Sequence, residues 1–231
     1  MAFEQDHFDE IYYRNNGQLG DRPALRYYTR LVRRYIGAGP YLDFGCGTGH
    51  LVSHLASLGD AAGFEISEYS AESARRNAPG SMIYTDVADI GDASFGGLTA
   101  VHVLEHLTDE IADQAITTWR RILRPGGRAL VVMPDPAGRA RRMTQDRWNG
   151  FSDPTHINLK PHVEWRSFLS ERGLRVLKEG SDGMWNVPYR KLPKLVDAGL
   201  HAGPALAQFL SGRLFLPEGS GESSIFILEK C

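Results

Sequence analysis

Tyr41-Leu42-Asp43-Phe44-Gly45-Cys46-Gly47-Thr48-Gly49-His50-Leu51 is the stretch that decides how this chain folds. Tyr41 to Phe44 reads as a short strand. Glycines then alternate at 45, 47 and 49, and from His50 to Leu58 the residues Leu51, His54, Leu55 and Leu58 share one helical face. A strand that turns through glycines into a helix lets the backbone take positive φ and lets a ligand lie directly against the main chain. In a parallel sheet such a turn sits at the carboxyl edge, where these folds bind ligands. A glycine-rich turn alone is equally well a tight strand-to-helix connection, so its neighbours have to decide.

Downstream, Ala61 to Ile66 reads as a second strand carrying Glu65 near its end, residues 68–77 as a helix, and Met82 to Tyr84 as a third strand followed by Asp86. Leu98 to Val103 is a fourth strand. Asp109 to Leu123 is an amphipathic helix with Ile111, Ala115, Trp119 and Ile122 inward, ended by Arg124-Pro125-Gly126-Gly127, and Ala129 to Met133 is a fifth strand. Strands alternating with helices of this length imply parallel βαβ units. Upstream, residues 22–36 place Leu25, Tyr28, Leu31, Val32 and Tyr35 on one helical face before Gly37 and Gly39 stop the helix.

After Pro134 the rhythm breaks. Residues 135–161 read as one long connection containing Trp148, Phe151, Asp153 and His156; a helix follows at 162–172 and a strand near Leu174 to Lys178. Residues 181–220 form a second irregular insertion with Trp185, Tyr189, Phe209 and Phe215, in which Leu195, Leu206, Phe209 and Leu210 are the expected core of a short helical insert. Ser223 to Leu228 closes the chain as a strand. Long connections in a compact domain are usually functional.

The 231 residues suit one α/β domain of residues 1–231, with 1–40 as an N-terminal helical cover, 41–133 as the ligand-binding half, and 135–161 and 181–220 as a cap. A net charge of −2 is not the basic balance of a nucleic-acid binder. The local run Arg139, Arg141, Arg142 and Arg147 reads either as a solvated face or as a footprint for an acidic group. Two cysteines, Cys46 and Cys231, suit a reducing cytoplasm. The polar, acidic start MAFEQDHFDEIYYR is not a signal peptide, and no apolar run approaches the ~20 residues of a membrane span. A soluble, cytoplasmic protein is therefore expected.

Glu65 stands roughly twenty residues past the glycine turn, where a carboxylate can accept hydrogen bonds from ribose hydroxyls. Asp86 follows the third strand, where a carboxylate can accept from an adenine amino group but equally well stands as an exposed loop acid. A dinucleotide fingerprint requires G-x-G-x-x-G, whereas the spacing here is G-x-G-x-G, and His50 stands where the third glycine belongs.

Taken together, Asp43 to Gly49 resembles the first motif of class I methyltransferases that use S-adenosylmethionine. Glu65 resembles the acidic residue of their second motif and Asp86 the acid after their third strand. Val103-Leu104-Glu105-His106-Leu107 resembles their segment after the fourth strand, and Leu123 to Gly127 the turn before the fifth. The resemblance covers residues 41–133. It implies a Rossmann-like α/β fold: a seven-stranded, mostly parallel sheet ordered 3-2-1-4-5-7-6 with the last strand antiparallel, helices on both faces, and residues 174–178 and 223–228 as the last two strands. It also implies S-adenosyl-L-methionine as cofactor. Asp43 and the backbone of Gly45, Cys46, Gly47 and Gly49 would hold its methionine part, with Val101 and His102 nearby. Glu65 would hold the ribose, and Ile66, Asp86 and Val87 would frame the adenine; Tyr12, Tyr13 and Arg14 belong to a segment that covers the cofactor in relatives.

For the acceptor, His156 in Asp153-Pro154-Thr155-His156 is the candidate base, with Asp153 to orient it, unless it only ties down its own loop. His106 is a lesser candidate that more simply caps or packs, and Glu105, Trp148 and Trp185 are further pocket candidates. Cys46, His50 and His54 stand at i, i+4, i+8, but no fourth ligand is evident, so no metal is expected there. His7, His162 and His201 show no partner pattern. The expected activity is methyl transfer to oxygen or nitrogen of a small molecule. The alternatives are a nucleic-acid or protein methyltransferase, with the arginine run as footprint, or a non-catalytic cofactor-binding partner. Acceptor and oligomeric state are not legible.

Overall fold

Four consecutive buried residues, Tyr41–Phe44, form β1 at the centre of the sheet. A strand covered on both faces is the pattern of a parallel sheet sandwiched by helices. The computed structural model, which describes residues 8–16, 19–183 and 203–231, sets β1 between two parallel neighbours. Asp43 is level with Gly63 of β2 (Ala61–Phe64) on one side and with Thr99 of β4 (Phe95–Val101) on the other. β3 (Met82–Tyr84) lies parallel beyond β2, and β5 (Leu123–Pro134) parallel beyond β4. β7 (Ser223–Lys230) runs antiparallel between β5 and β6 (Leu174–Ser181). The resulting order, β3-β2-β1-β4-β5-β7-β6, is the one the sequence led us to expect.

Alternation along β5 splits the core in two. Ala129, Val131 and Met133 face a cluster with Phe44, Phe64, Trp119, Trp165 and Phe226. Leu130 and Val132 face the opposite cluster, with Tyr27, Tyr28, Leu31 and Leu55. The first cluster is covered by α5 (Asp109–Ile122) and α8 (His162–Glu171), the second by α2 (Pro23–Leu31) and α3 (His50–Ala56). Thr108 caps α5 by accepting from the Ile111 amide, and Asp109 and Glu110 sit in its first turn, where the helix dipole favours anions.

Several elements depart from the sequence reading. The helix expected over 22–36 ends as α2 at Leu31 and continues as a π-helical turn, Val32–Ile36. Widening the turn shifts the face, so Ile36 is buried and Tyr35 only half-buried. On α5 the inward stripe runs through Ala112 and Ile116, with Ile111 half-exposed at the helix start. β5 reaches back through Arg124-Pro125-Gly126-Gly127 to Leu123, because Phe95 pairs with Leu123 across a register shift. The connection 135–161 is not wholly irregular: it holds α6 (Arg139–Thr144), a 3₁₀ turn (Gln145–Arg147) and α7 (Asn149–Ser152). In α9 (Gly203–Ser211), Leu206 and Leu210 are exposed, while Ala205 and Gln208 are buried. Gln208 satisfies both ends of its amide, donating to the Ser181 carbonyl and accepting from the Phe215 and Leu216 amides. Leu195 lies outside the described residues.

The glycine turn is fixed by packing as well as by φ. Gly49 has φ +82°, and a Cβ there would lie 2.6 Å from the Ala74 Cα in α4 (Glu68–Asn77). Gly80 has φ +90° but open space around it. Gly49→Ala is therefore expected to cost at least about 2 kcal/mol by denaturant unfolding, and Gly80→Ala about 1 kcal/mol. Equal costs would show that the close approach to α4 carries no weight.

Candidate active site

The carboxyl ends of β1, β2, β4 and β5 open into a cleft of about 910 Å³, a size that suits a cofactor with part of a second ligand. Its floor is Gly45, Cys46, Gly47 and Thr48 after β1, Glu65 and Ile66 after β2, and Val101 at the end of β4 with His102 and Val103 after it. Tyr12 and Tyr13 of α1 (Glu10–Asn15) close one side, and Trp148, Asp153 and His156 from the connection after β5 close another.

The floor is built from backbone. The amides of Gly45 and Cys46 both donate to the Phe64 carbonyl, at 2.8 and 2.9 Å, so the turn is bolted to the end of β2. Gly45 sits at φ +73°, and a Cβ there would come within 2.7 Å of Val103 Cγ2. Glu65 is buried and accepts from the Gly47 amide at 2.8 Å and the Ser67 amide at 2.9 Å. Burial raises its carboxyl above the ordinary range, partly offset by those amides. Asp43 is buried beneath the turn and accepts from the Thr99 hydroxyl at 2.6 Å. Burial pushes its carboxyl up to about 7, with the Thr99 bond opposing and the Glu65 charge adding.

The far wall is a polar relay. The Thr155 hydroxyl donates to Asp153 Oδ1 at 2.6 Å and so accepts from His106 Nδ1, 2.8 Å away. Tyr12 Oη and Asn16 Nδ2 donate to Asp153 Oδ2 at 2.9 and 3.1 Å. His156 Nδ1 is 2.8 Å from the Gly150 carbonyl, which can only accept, so that nitrogen carries the proton and Nε2 bears the lone pair. His156 Nε2 lies 3.8 Å from Asp153 Oδ2. His102, at φ +57°, places Nδ1 2.9 Å from Glu105 Oε1. Burial would raise the fully buried Glu105, but the His102 hydrogen bond and the neighbouring imidazoles hold it below the ordinary carboxylate range. Burial depresses His106.

Not every expected site residue meets in the cleft. Asp86 is exposed and caps the 3₁₀ turn Val87–Asp89, accepting from the Ala88 amide at 2.8 Å; neither it nor Val87 lines the cleft. Val87 packs on the main core, and Gly49 faces α4. The Cys46 thiol packs at Gly63, His50 Nε2 lies 3.0 Å from the Leu19 carbonyl, and His54 Nε2 lies 2.8 Å from Asp21. Arg14 is exposed and pairs with Glu10. Trp148 is buried in the wall, whereas Trp185, Tyr189, His7 and His201 lie outside the described residues. Phe215 is exposed. Among the lining residues not anticipated are Arg22 at the start of α2, Tyr28 within it, and Asp182 after β6. Asp182 is buried and pushed up to about 6 by that burial, with the Ser223 amide donating to it at 2.8 Å. No spacing in the sequence marks these residues, because they reach the cleft only through packing of the N-terminal helices and β7.

A methyltransferase-domain family model matches residues 18–179. The chain belongs to that family. An O-methyltransferase, cnsE, of Penicillium expansum is 37% identical over 102 residues, covering 39% of this chain and 36% of that protein. An uncharacterized 37.1 kDa protein in transposon TN4556 of Streptomyces fradiae is 33% identical over 149 residues, covering 58% and 41%. These matches therefore span well under half of either relative. A solved SAM-dependent methyltransferase from Archaeoglobus fulgidus superposes with a TM-score of 0.63 at 16% identity, over 96% of this chain and 100% of that one. The methyltransferase family and its fold imply S-adenosylmethionine as cofactor. The floor fits such a group: backbone approaches the cleft where a Cβ on Gly47 would already lie 3.2 Å from Tyr13 Oη, and Glu65 waits at the next strand end.

Asp43 also couples the site to pH. Its folded pKa, about 7, stands above the ordinary carboxyl value, so the folded state keeps a proton that the unfolded chain releases. Its contribution to stability is present below about pH 4 and is lost as pH rises through about 7. In thermal melts, Asp43→Asn is expected to remove a decline in Tm between those limits while keeping the acceptor for Thr99. An unchanged slope would place the pH dependence elsewhere.

Proposed function

We propose that the chain transfers a methyl group from S-adenosylmethionine to an oxygen or nitrogen of a small organic acceptor. The observation that carries this reading is the pairing, across one cleft, of a backbone-lined floor ending in Glu65 with a wall that presents the imidazoles of His106 and His156. The cofactor supplies a methyl group on a positively charged sulfur. On this reading the backbone of Gly45, Cys46 and Gly47, with Asp43 below it, lies along its amino-acid end, and Val101 and His102 border it; Gly49, packed on α4, lets the turn close. Glu65 takes the ribose: the amides of Gly47 and Ser67 use only part of its acceptor capacity, which leaves lone pairs for hydroxyls. Ile66, exposed at the cleft, flanks the adenine, and Asp86 and Val87 stand further out along the same edge.

The acceptor lies toward Trp148, Asp153 and His156. The enzyme's main task is alignment of nucleophile, carbon and sulfur. His156 Nε2 is the nitrogen free to engage the acceptor's proton, because Nδ1 is held by Gly150. An acceptor of small size is favoured over nucleic acid by what the arginine run does: Arg142 is tied to the carbonyls of Ala137 and Gly219, and Arg141 lies over the Phe151 ring. The name of the Penicillium relative favours oxygen as the methylated atom.

Calorimetry is expected to show binding of S-adenosylhomocysteine and none of NAD; the reverse would overturn the reading. Glu65→Ala should weaken that binding by about 1–3 kcal/mol, the scale of lost hydrogen bonds to a charged group, and unchanged affinity in a folded variant would assign the ribose to another residue. On an acceptor found by screening hydroxyl and amine compounds, His156→Ala should lower turnover about 10²–10⁴-fold with cofactor affinity nearly intact. Joint loss of stability and cofactor binding would mean that His156 only braces its loop.

A further inference from the structure

We propose that Glu105, His106 and His156 form a binding site for one divalent first-row transition-metal ion at the acceptor end of the cleft, a step that rests on reading the cleft as the acceptor pocket. One ligand atom from each residue lies within 4.8 Å of the other two. Ligand atoms about 2.0–2.2 Å from one ion stand roughly 3–4 Å from each other. The trio therefore has to close by on the order of an ångström when it takes an ion.

The hydrogen bonds prepare each ligand. His106 Nδ1 faces the Thr155 carbonyl at 3.3 Å as well as the Thr155 hydroxyl, and a carbonyl can only accept, so His106 carries its proton on Nδ1. Thr155 passes the chain on to Asp153. His156 donates Nδ1–H to Gly150. Both rings thus have one nitrogen anchored and Nε2 bearing the lone pair, which is how outer-shell carbonyls and carboxylates orient metal-ligating histidines. Glu105 is fully buried, its Oε1 accepts a hydrogen bond from His102 Nδ1, and its Oε2 has no hydrogen-bond donor among the described residues. A buried carboxylate oxygen without a partner is costly and calls for an explanation. A cation beside the two imidazoles supplies one.

Two imidazoles and one carboxylate suit Mn²⁺, Fe²⁺, Co²⁺ or Zn²⁺ better than the oxygen-seeking Ca²⁺ or Mg²⁺. Three protein ligands leave positions open for an acceptor hydroxyl. An ion there holds the hydroxyl and lowers its pKa, so its proton passes to water before transfer. The oxygen lone pair then forms the bond to the methyl carbon as the carbon–sulfur bond breaks, and that electron pair returns to sulfur. This makes His156 Nε2 a ligand in place of a proton acceptor, and one nitrogen cannot serve both roles at once. A second three-residue group among the described residues, His162, Glu179 and Glu218, lies outside the cleft, and its Glu179 is already paired with Arg166 at 3.3 Å.

The test uses the full chain, stripped with a chelator and first shown to bind S-adenosylhomocysteine, then titrated with Co²⁺ and followed by visible absorption and calorimetry. One ion per chain is expected, with ligand-field bands. Glu105→Gln and His156→Gln should each weaken Co²⁺ at least tenfold while S-adenosylhomocysteine binding is kept, and His162→Gln should leave it unchanged. If Glu105→Gln does not fold, His106→Asn takes its place. Absence of saturable Co²⁺ binding in protein that binds S-adenosylhomocysteine overturns the metal site and leaves the methyltransferase reading standing. So does binding that is lost in His162→Gln but kept in His156→Gln. Failure to bind S-adenosylhomocysteine overturns the cofactor reading itself. Turnover that survives chelation returns His156 to the role of base.

Discussion

The Glu65 carboxylate, received by the amides of Gly47 and Ser67, is the tie on which the cleft depends. It joins the turn after β1 to the end of β2, alongside the two amide bonds from Gly45 and Cys46 to the Phe64 carbonyl. The arrangement needs residues without side chains, because Gly45 and Gly47 hold positive φ and Val103 and Tyr13 crowd the space where a Cβ would stand. A buried carboxylate in that place is costly unless donors meet it, and the same donors that stabilise it shape the floor. Structure and ligand recognition draw on one set of hydrogen bonds, so neither can be altered alone.

From that tie the rest of the site follows by topology. Parallel strands deliver their carboxyl ends to one edge, so the residues after β1, β2 and β4 reach a common cleft although they are far apart in the chain. The second wall is less regular. It hangs on Asp153, which collects donors from Thr155, Tyr12 and Asn16 and thereby ties the first helix to the connection after β5. The histidines of that wall are held by their Nδ1 atoms, which orients the opposite nitrogens. Buried polar networks of this kind specify a geometry only when each member is satisfied, and Glu105 Oε2 is the member that stands out.

Periodicity and turn chemistry made the sheet legible in advance. Strands β1 and β3 and helix α4 fall on the residues whose pattern marked them, and the glycine turn pointed to the ligand edge. The departures have local causes: a π-helical turn rotated Ile36 inward, pairing with Phe95 drew Leu123 into β5, and a satisfied amide let Gln208 take the buried position on α9. Each is a tertiary contact overriding a local preference.

What the sequence by itself determined is the order of elements, the ligand edge, and the residues at its floor, because strand ends, glycines and acids sit at spacings that local geometry dictates. What only the tertiary structure decided is who stands opposite. Glu105 and His106 come from one strand end and His156 from a connection some fifty residues later, and no periodicity links them. Arg22 and Asp182 reach the cleft by the packing of helices and β7, and Asp86, well placed by spacing, turned to cap its own loop. Sequence spacing encodes what the backbone does over a few residues; proximity across a cleft depends on how far apart the folded layers come to rest.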